Sequence, residues 1–118
     1  MFSKVKSVFM FVDDIAASRD WYARILGQPP TYIDESFAMF NVNGINLCFH
    51  LADLKTPVPT GGSVSYWWVE DFTKSLKALQ AAGASLYRGP IESEPGSRIC
   101  QLKDPFGNVF GIEGQAAK

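Results

Sequence analysis

The sequence predicts an α+β protein built as a βαβββ unit repeated twice, and three observations carry that expectation. A shift of 57 positions places Phe9, Phe11, Val12, Asp13, Asp14 and Ser18 on Tyr66, Trp68, Val69, Glu70, Asp71 and Ser75. In each copy an apolar run stops at two acids, and an amphipathic segment then leads to a glycine, Gly27 or Gly83. Each amphipathic segment is followed by short β-type runs separated by turn residues.

The runs Val8 to Val12 and Val64 to Val69 are β-branched and aromatic, as strands buried on both faces should be. Asp14 and Asp71 then sit where a carboxylate accepts hydrogen bonds from the first free N–H groups of a helix. The first helix is expected to turn Ile15, Tyr22, Ile25 and Leu26 inward, and the second Phe72, Leu76 and Leu79. Gly27 and Gly83 suit the left-handed residue that ends a helix. Further strands are expected at Thr31 to Ile33, Phe37 to Val42 and Ile45 to His50, with Asn43-Gly44 as a two-residue hairpin turn. Their counterparts are Ser85 to Arg88, Arg98 to Lys103 and Val109 to Glu113, with a turn at Asp104-Pro105-Phe106-Gly107-Asn108. Between the copies, Thr56-Pro57-Val58-Pro59-Thr60-Gly61-Gly62 has the composition of a linker. The organisation expected is therefore module one at about 1–55, linker 56–62 and module two at about 63–118, in one domain.

Composition excludes several classes of partner. The chain has 118 residues, 47% of them apolar, and nine Phe, three Trp and four Tyr can fill a core. Eleven Lys and Arg stand against twelve Asp and Glu, and no run of like charge exceeds two residues. Neither a nucleic acid nor an anionic membrane is thus expected as partner, since each asks for a basic stripe. The N-terminal apolar stretch is interrupted by Asp13 and Asp14, too early for a membrane span, and lacks a small-residue cleavage site. Cys48 and Cys100 have neither metal-type spacing nor the number for a disulfide framework, so both read as buried free thiols of a cytoplasmic protein.

The segment Val12-Asp13-Asp14-Ile15-Ala16-Ala17-Ser18-Arg19-Asp20-Trp21-Tyr22, ending at Leu26-Gly27, resembles the vicinal oxygen chelate superfamily, the glyoxalase/bleomycin-resistance/dioxygenase fold. Asp104-Pro105-Phe106-Gly107-Asn108 is similar to the turn that precedes the last strand there, and Val69-Glu70-Asp71-Phe72 echoes the first motif. The resemblance covers essentially the whole chain. It implies two half-barrel modules whose curved mixed sheet carries the helices on its convex face. It also implies a homodimer, because family members of this length commonly pair modules across chains. Capping and turn chemistry suffice to explain Asp14, Asp71 and the Asp104 turn, so none of these is read as catalytic.

By the same resemblance, metal-using members bring histidines and carboxylates to one divalent ion from four positions. Here those positions hold Ser7, five residues before Val12; Val64, five before Val69; Gly111, seven after Asp104; and Asn46 or Cys48 on the strand after the hairpin. A catalytic divalent ion asks for about three imidazole, carboxylate or thiolate ligands. These residues do not supply them, and His50 is the one histidine of the chain. A slipped set of Cys48, His50 and Glu113 would need a different strand register. No metal and no cofactor is expected.

Strand alternation places Phe9 and Phe11 on the face of Ser7, and Tyr66 and Trp68 on that of Val64. Gly111 is expected to leave a hole where the family has a glutamate. Met10 and Trp67 should point the other way, onto the helices. Ser7, Phe9, Phe11, Cys48, His50, Tyr66 and Trp68 therefore read as ligand-binding residues of an aromatic-walled cavity. Such a cavity suits a small organic ligand, aromatic or amphipathic, held by stacking and one or two hydrogen bonds. No nucleophile elbow, phosphate loop or dinucleotide fingerprint occurs. The favoured reading is a metal-free small-molecule binding protein of the bleomycin-resistance type. Its rivals are a glyoxalase-like lyase or isomerase, using a rearranged metal set or His50 as base, and a structural dimer whose own aromatics collapse the cavity. Elemental analysis of the purified protein should find no stoichiometric Zn, Ni, Mn or Fe. About one such ion per chain, lost on His50→Ala, would overturn the metal-free reading.

Overall fold

A computed structural model describes residues 1, 3–58 and 63–116. The chain divides into two compact units, Met1–Pro59 and Thr60–Lys118. Of the linker expected at 56–62, positions 59–62 lie outside the described residues. No helix among the described residues is long and apolar enough to cross a membrane.

The first unit runs β1 (Ser7–Val12), α1 (Ile15–Leu26), β2 (Tyr32–Ile33), β3 (Phe37–Val42) and β4 (Ile45–Leu51). Its sheet has the order β1-β4-β3-β2, with β1 parallel to β4 and the other pairs antiparallel. The start of α1 is set by Asp14, extended at φ −134°, whose carboxylate accepts from the Ala17 N–H at 3.0 Å. Its end is set by Gly27 at φ +68°, a left-handed residue whose N–H donates to the Ala23 carbonyl. Asn43 and Gly44 close the β3–β4 hairpin with φ of +50° and +91°. Positive φ at both central residues is what a turn matching strand twist requires.

Alternation sends Val8, Met10 and Val12 to the helix side, with Leu47 and Phe49 from β4 and Ala38 and Phe40 from β3. Phe40 and Phe49 are wholly buried and meet edge to face at 6.0 Å, and Tyr22 stacks on Phe49 at 4.5 Å. Full burial of a large apolar side chain contributes about 1.5–3 kcal/mol, so this face holds the unit together. The inward face of α1 differs from expectation. Ile15, Ser18, Trp21 and Tyr22 are buried, whereas Ile25 is exposed and Leu26 half-buried. Ser18 can turn inward because its hydroxyl donates to the Asp14 carbonyl at 2.7 Å, leaving no unsatisfied polar group. Trp21 and Tyr22, edge to face at 4.7 Å, then supply the bulk.

The second unit repeats the plan as β5 (Tyr66–Val69), α2 (Phe72–Ala81), β6 (Ser85–Glu92), β7 (Ser97–Lys103) and β8 (Val109–Gln115). Its sheet order is β5-β8-β7-β6, again with first and last strands parallel. Asp71 caps α2 by accepting from the Lys74 N–H at 3.1 Å. The helix closes on Ala82 in right-handed conformation, and the positive φ falls one residue later, at Gly83. Strand β5 begins at Tyr66, two residues after the expected Val64. Strand β6 extends beyond the expected Arg88 to Glu92, through register shifts around Arg88.

Phe72, Leu79, Cys100, Leu102, Phe110 and Ile112 form the buried helix-side core, with the Arg98 guanidinium 5.7 Å above the Phe72 ring. The turn before β8 is built on Asp104, whose carboxylate accepts from the backbone N–H of Phe106 and of Asn108, both at 2.9 Å. Asp104 and Asn108 are buried while Pro105 between them is exposed, so the turn is anchored in the core at both ends. The whole is α+β, two βαβββ modules, each a four-stranded mixed sheet with one helix.

Candidate ligand-binding site

In the first unit, parallel pairing sets Ser7 opposite Asn46, Phe9 opposite Cys48 and Phe11 opposite His50. All these side chains lie on the face away from α1. Ser7, Phe9, Phe11, Cys48 and His50 thus share one surface, as alternation requires. The hairpin adds Phe37 and Met39, facing His50 and Cys48, and β2 adds Tyr32, facing Met39. Aromatic rings run across this face, with centroids 5.9 Å apart for Phe9–Phe37, 5.7 Å for Phe11–His50 and 6.0 Å for Tyr32–Phe37. Phe9 is 49% and Tyr32 50% exposed, so the rings are not a closed core.

Two polar groups on this face are shaped by their surroundings. His50 Nδ1 lies 2.9 Å from the Leu51 carbonyl oxygen. A carbonyl only accepts, so Nδ1 carries the proton and the neutral ring keeps Nε2 as its acceptor. Cys48 is 2% exposed, and that burial pushes its thiol up, away from the thiolate that a nucleophile or metal ligand needs. Cys100, in the second unit, is likewise buried and its thiol pushed up, but it lies on the helix side.

In the second unit, Tyr66 stands opposite Gly111 and Trp68 opposite Glu113, with Ile99 and Gln101 continuing the two rows on β7. Tyr66 is 45% and Trp68 62% exposed on the face away from α2, while Trp67 is half-buried on the helix side. Tyr66 and Trp68 are therefore not sheet core. The hole expected at Gly111 does not exist. A side-chain carbon placed on Gly111 would run into Cδ1 and Cε1 of the Tyr66 ring, which lies across the glycine. The ring is held there by Gln101, whose Nε2 donates to the Tyr66 hydroxyl oxygen at 2.8 Å.

Among the residues of these faces that sequence reasoning misses are Phe37, Tyr32 and Gln101. Phe37 and Gln101 are legible from hairpin geometry: a two-residue turn at Asn43-Gly44 pairs Phe37 with His50, and the turn at Asp104 to Asn108 pairs Gln101 with Gly111. Tyr32 requires the register of a two-residue edge strand, which no turn fixes.

The metal positions implied by the resemblance do not fit a divalent ion. Ser7 and Asn46 are neighbours across β1 and β4, Val64 precedes β5, and the position of the carboxylate is filled by the Tyr66 ring. Within either unit, no three His, Cys, Asp or Glu side chains among the described residues gather to hold an ion. Cys48 and His50 share a face of the first unit, whereas Glu113 stands in the second. Gly111→Ala should destabilise the protein by about 1–3 kcal/mol, the usual cost of overpacking, with Gly111→Ala/Tyr66→Ala less destabilised than the two single losses summed. Additive losses in urea denaturation would show that ring and glycine do not compete for one space.

The chain is similar along nearly its whole length to several solved structures. They include a glyoxalase-related enzyme from Fulvimarina pelagi, 22% identical over 97% of this chain and 89% of that one, with a TM-score of 0.77. A glyoxalase/bleomycin resistance protein/dioxygenase family enzyme from Burkholderia phytofirmans is 20% identical over 96% and 99%, at a TM-score of 0.80. A genomically encoded fosfomycin resistance protein from Listeria monocytogenes is 13% identical over 98% and 96%, at 0.78. At these identities the likeness is one of fold. A search of curated proteins finds no match. The family model of the Glyoxalase/Bleomycin resistance protein/Dioxygenase superfamily matches residues 4–112, and together with the paired βαβββ modules and the Asp14 and Asp104 motifs this makes the chain a member of that superfamily.

Proposed function

We propose that this chain is a metal-free small-molecule binding protein of the glyoxalase/bleomycin-resistance type, taking a planar aromatic or amphipathic organic ligand on its helix-free faces. The observation that carries this reading is the half-exposed aromatic surface. Phe9, Tyr32, Tyr66 and Trp68 keep between 45% and 62% of their surface open, on the faces where the family's ligands are expected. Exposed aromatic surface of this kind is costly in water unless something covers it. Polar handles are few on each face: Ser7 and His50 Nε2 in the first unit, the Tyr66 hydroxyl and Glu113 in the second. Either face, with its open rings, suits a ligand that has an apolar body and one or two hydrogen-bonding atoms.

A second reading, a metal-free glyoxalase-like enzyme, draws support from His50 alone. Its Nδ1 is tied to the Leu51 carbonyl, and that leaves Nε2 as a proton acceptor among aromatic rings. Asp53 lies within electrostatic reach of His50, but its carboxylate is held mainly by the Thr56 N–H and hydroxyl and by the Lys55 N–H, and binding is the simpler function of the same face. The protein is further proposed to act in the cytoplasm and as a homodimer without nucleic-acid or membrane partners. Strands β1, β2, β5 and β6 end their sheets in the strand order, and unpaired edges with apolar faces favour association.

Trp68 is the reporter of binding. A library of planar aromatic acids, ketones and amines should contain compounds that shift its fluorescence, and the shift should vanish in Trp68→Ala but persist in Trp67→Ala. Trp68→Ala should leave stability within about 1 kcal/mol of the parent, as for an exposed side chain. Trp67→Ala should lose more, toward the roughly 3–5 kcal/mol of a packed aromatic truncation. Equal large losses would remove the pocket assignment. Light scattering should give twice the 13.0 kDa chain mass at micromolar concentration; a clean monomer would exclude the dimer.

A further inference from the structure

Gln101, Gly111 and Tyr66 form one row across the second sheet, contributed by β7, β8 and β5. Because the central residue lacks a side chain, the Tyr66 ring crosses the row and its oxygen reaches the Gln101 amide on the far strand. The direction of that hydrogen bond matters. The Gln101 Nε2–H donates at 2.8 Å, so it occupies a lone pair of the phenol and leaves the phenol's own proton uncommitted. Among the described residues no acceptor takes that proton. Receiving a hydrogen bond also polarises an O–H and strengthens it as a donor.

We infer that Tyr66, positioned by Gln101, is a fixed hydrogen-bond donor that recognises a carbonyl oxygen on a planar ligand. The inference deepens the binding reading above and rests on it. Trp68, on the same strand and face about 7 Å along, supplies a stacking surface for the ligand's ring. A carboxylate at position 111, the last-strand metal ligand that the resemblance implies, is sterically closed here by the same Tyr66 ring. The phenol proton offers the ligand oxygen a different partner from nearly the same row. Tyr66 contacts the ligand; Gln101 is a positioning residue acting through it.

Matched naphthalenes separate this donor from general stacking: 2-acetylnaphthalene carries the carbonyl, and 2-ethylnaphthalene has nearly the same shape without it. Both are titrated into the full chain by ligand-observed NMR. The parent should bind the ketone about three- to ten-fold more tightly, the worth of one net hydrogen bond. Tyr66→Phe keeps an aromatic ring at 66 but removes the hydroxyl, and should bring the ratio to about one through loss of ketone affinity. Gln101→Glu is the sharper variant. A carboxylate can only accept, so it takes the phenol proton for itself, and the ketone preference should again fall away although the contact persists. A preference that survives both substitutions overturns the inference while leaving the binding reading intact. If neither naphthalene binds the parent, the binding reading fails and the inference with it. Circular dichroism matching the parent's shows that each variant is folded.

Discussion

Everything on the two candidate faces, one in each unit, depends on the parallel pairing of that module's first strand with its last. Residues far apart in sequence meet only through it: Phe9 with Cys48 and Phe11 with His50 in one sheet, Tyr66 with Gly111 and Trp68 with Glu113 in the other. A one-residue slip in either pairing would turn every one of these side chains to the helix side. The register is pinned from both directions. Helix-side residues such as Val12, Leu47, Phe49 and Ile112 are almost wholly buried, and a slip would exchange them for Ser7, His50 or Glu113. The site is therefore positioned by burial on the opposite face of the same strands.

The two faces of each sheet then do different work. On the helix side, capped helices are drawn onto the strands by aromatic and aliphatic contacts, and polar groups there are satisfied locally, as Ser18 is by the Asp14 carbonyl. On the other side large rings remain half-open, and side-chain hydrogen bonds include His50 to Leu51 within β4, Asn41 to Asn46 between β3 and β4, and Gln101 to Tyr66 across the second sheet. A face stabilised from behind can carry exposed aromatic surface without relying on that surface for its own fold. Helix-side burial thus carries the fold of each unit while the opposite face keeps aromatic surface open.

The Tyr66–Gly111 contact stands at the last-strand position where the resemblance implies a metal-binding carboxylate. Removing a carboxylate from the last strand would by itself leave space. Here the tyrosine ring from the neighbouring strand occupies that space, and Gln101 fixes it. The glycine and the tyrosine are consequently one feature, since any side chain at 111 requires the ring to move. Burial of Cys48 works in the same direction, because a thiol pushed up is a poor ligand at neutral pH.

Local chemistry, by itself, determined the doubled βαβββ plan, the caps at Asp14 and Asp71, the Asn43-Gly44 hairpin and the turn on Asp104. Each rests on interactions spanning a few residues, which residue type and spacing specify. Alternation likewise groups side chains by strand face, so residue order alone puts Ser7 with Phe9 and Phe11, and Tyr66 with Trp68. Tertiary structure alone decided which part of α1 turns inward, because Ser18 and Trp21 are chosen by the shape of the sheet beneath them and Ile25 is left exposed. It alone decided that no hole stands at Gly111. Glycine in a sequence denotes missing atoms, and whether a neighbour fills the space depends on the rotamer of a residue 45 positions away, which no local rule constrains.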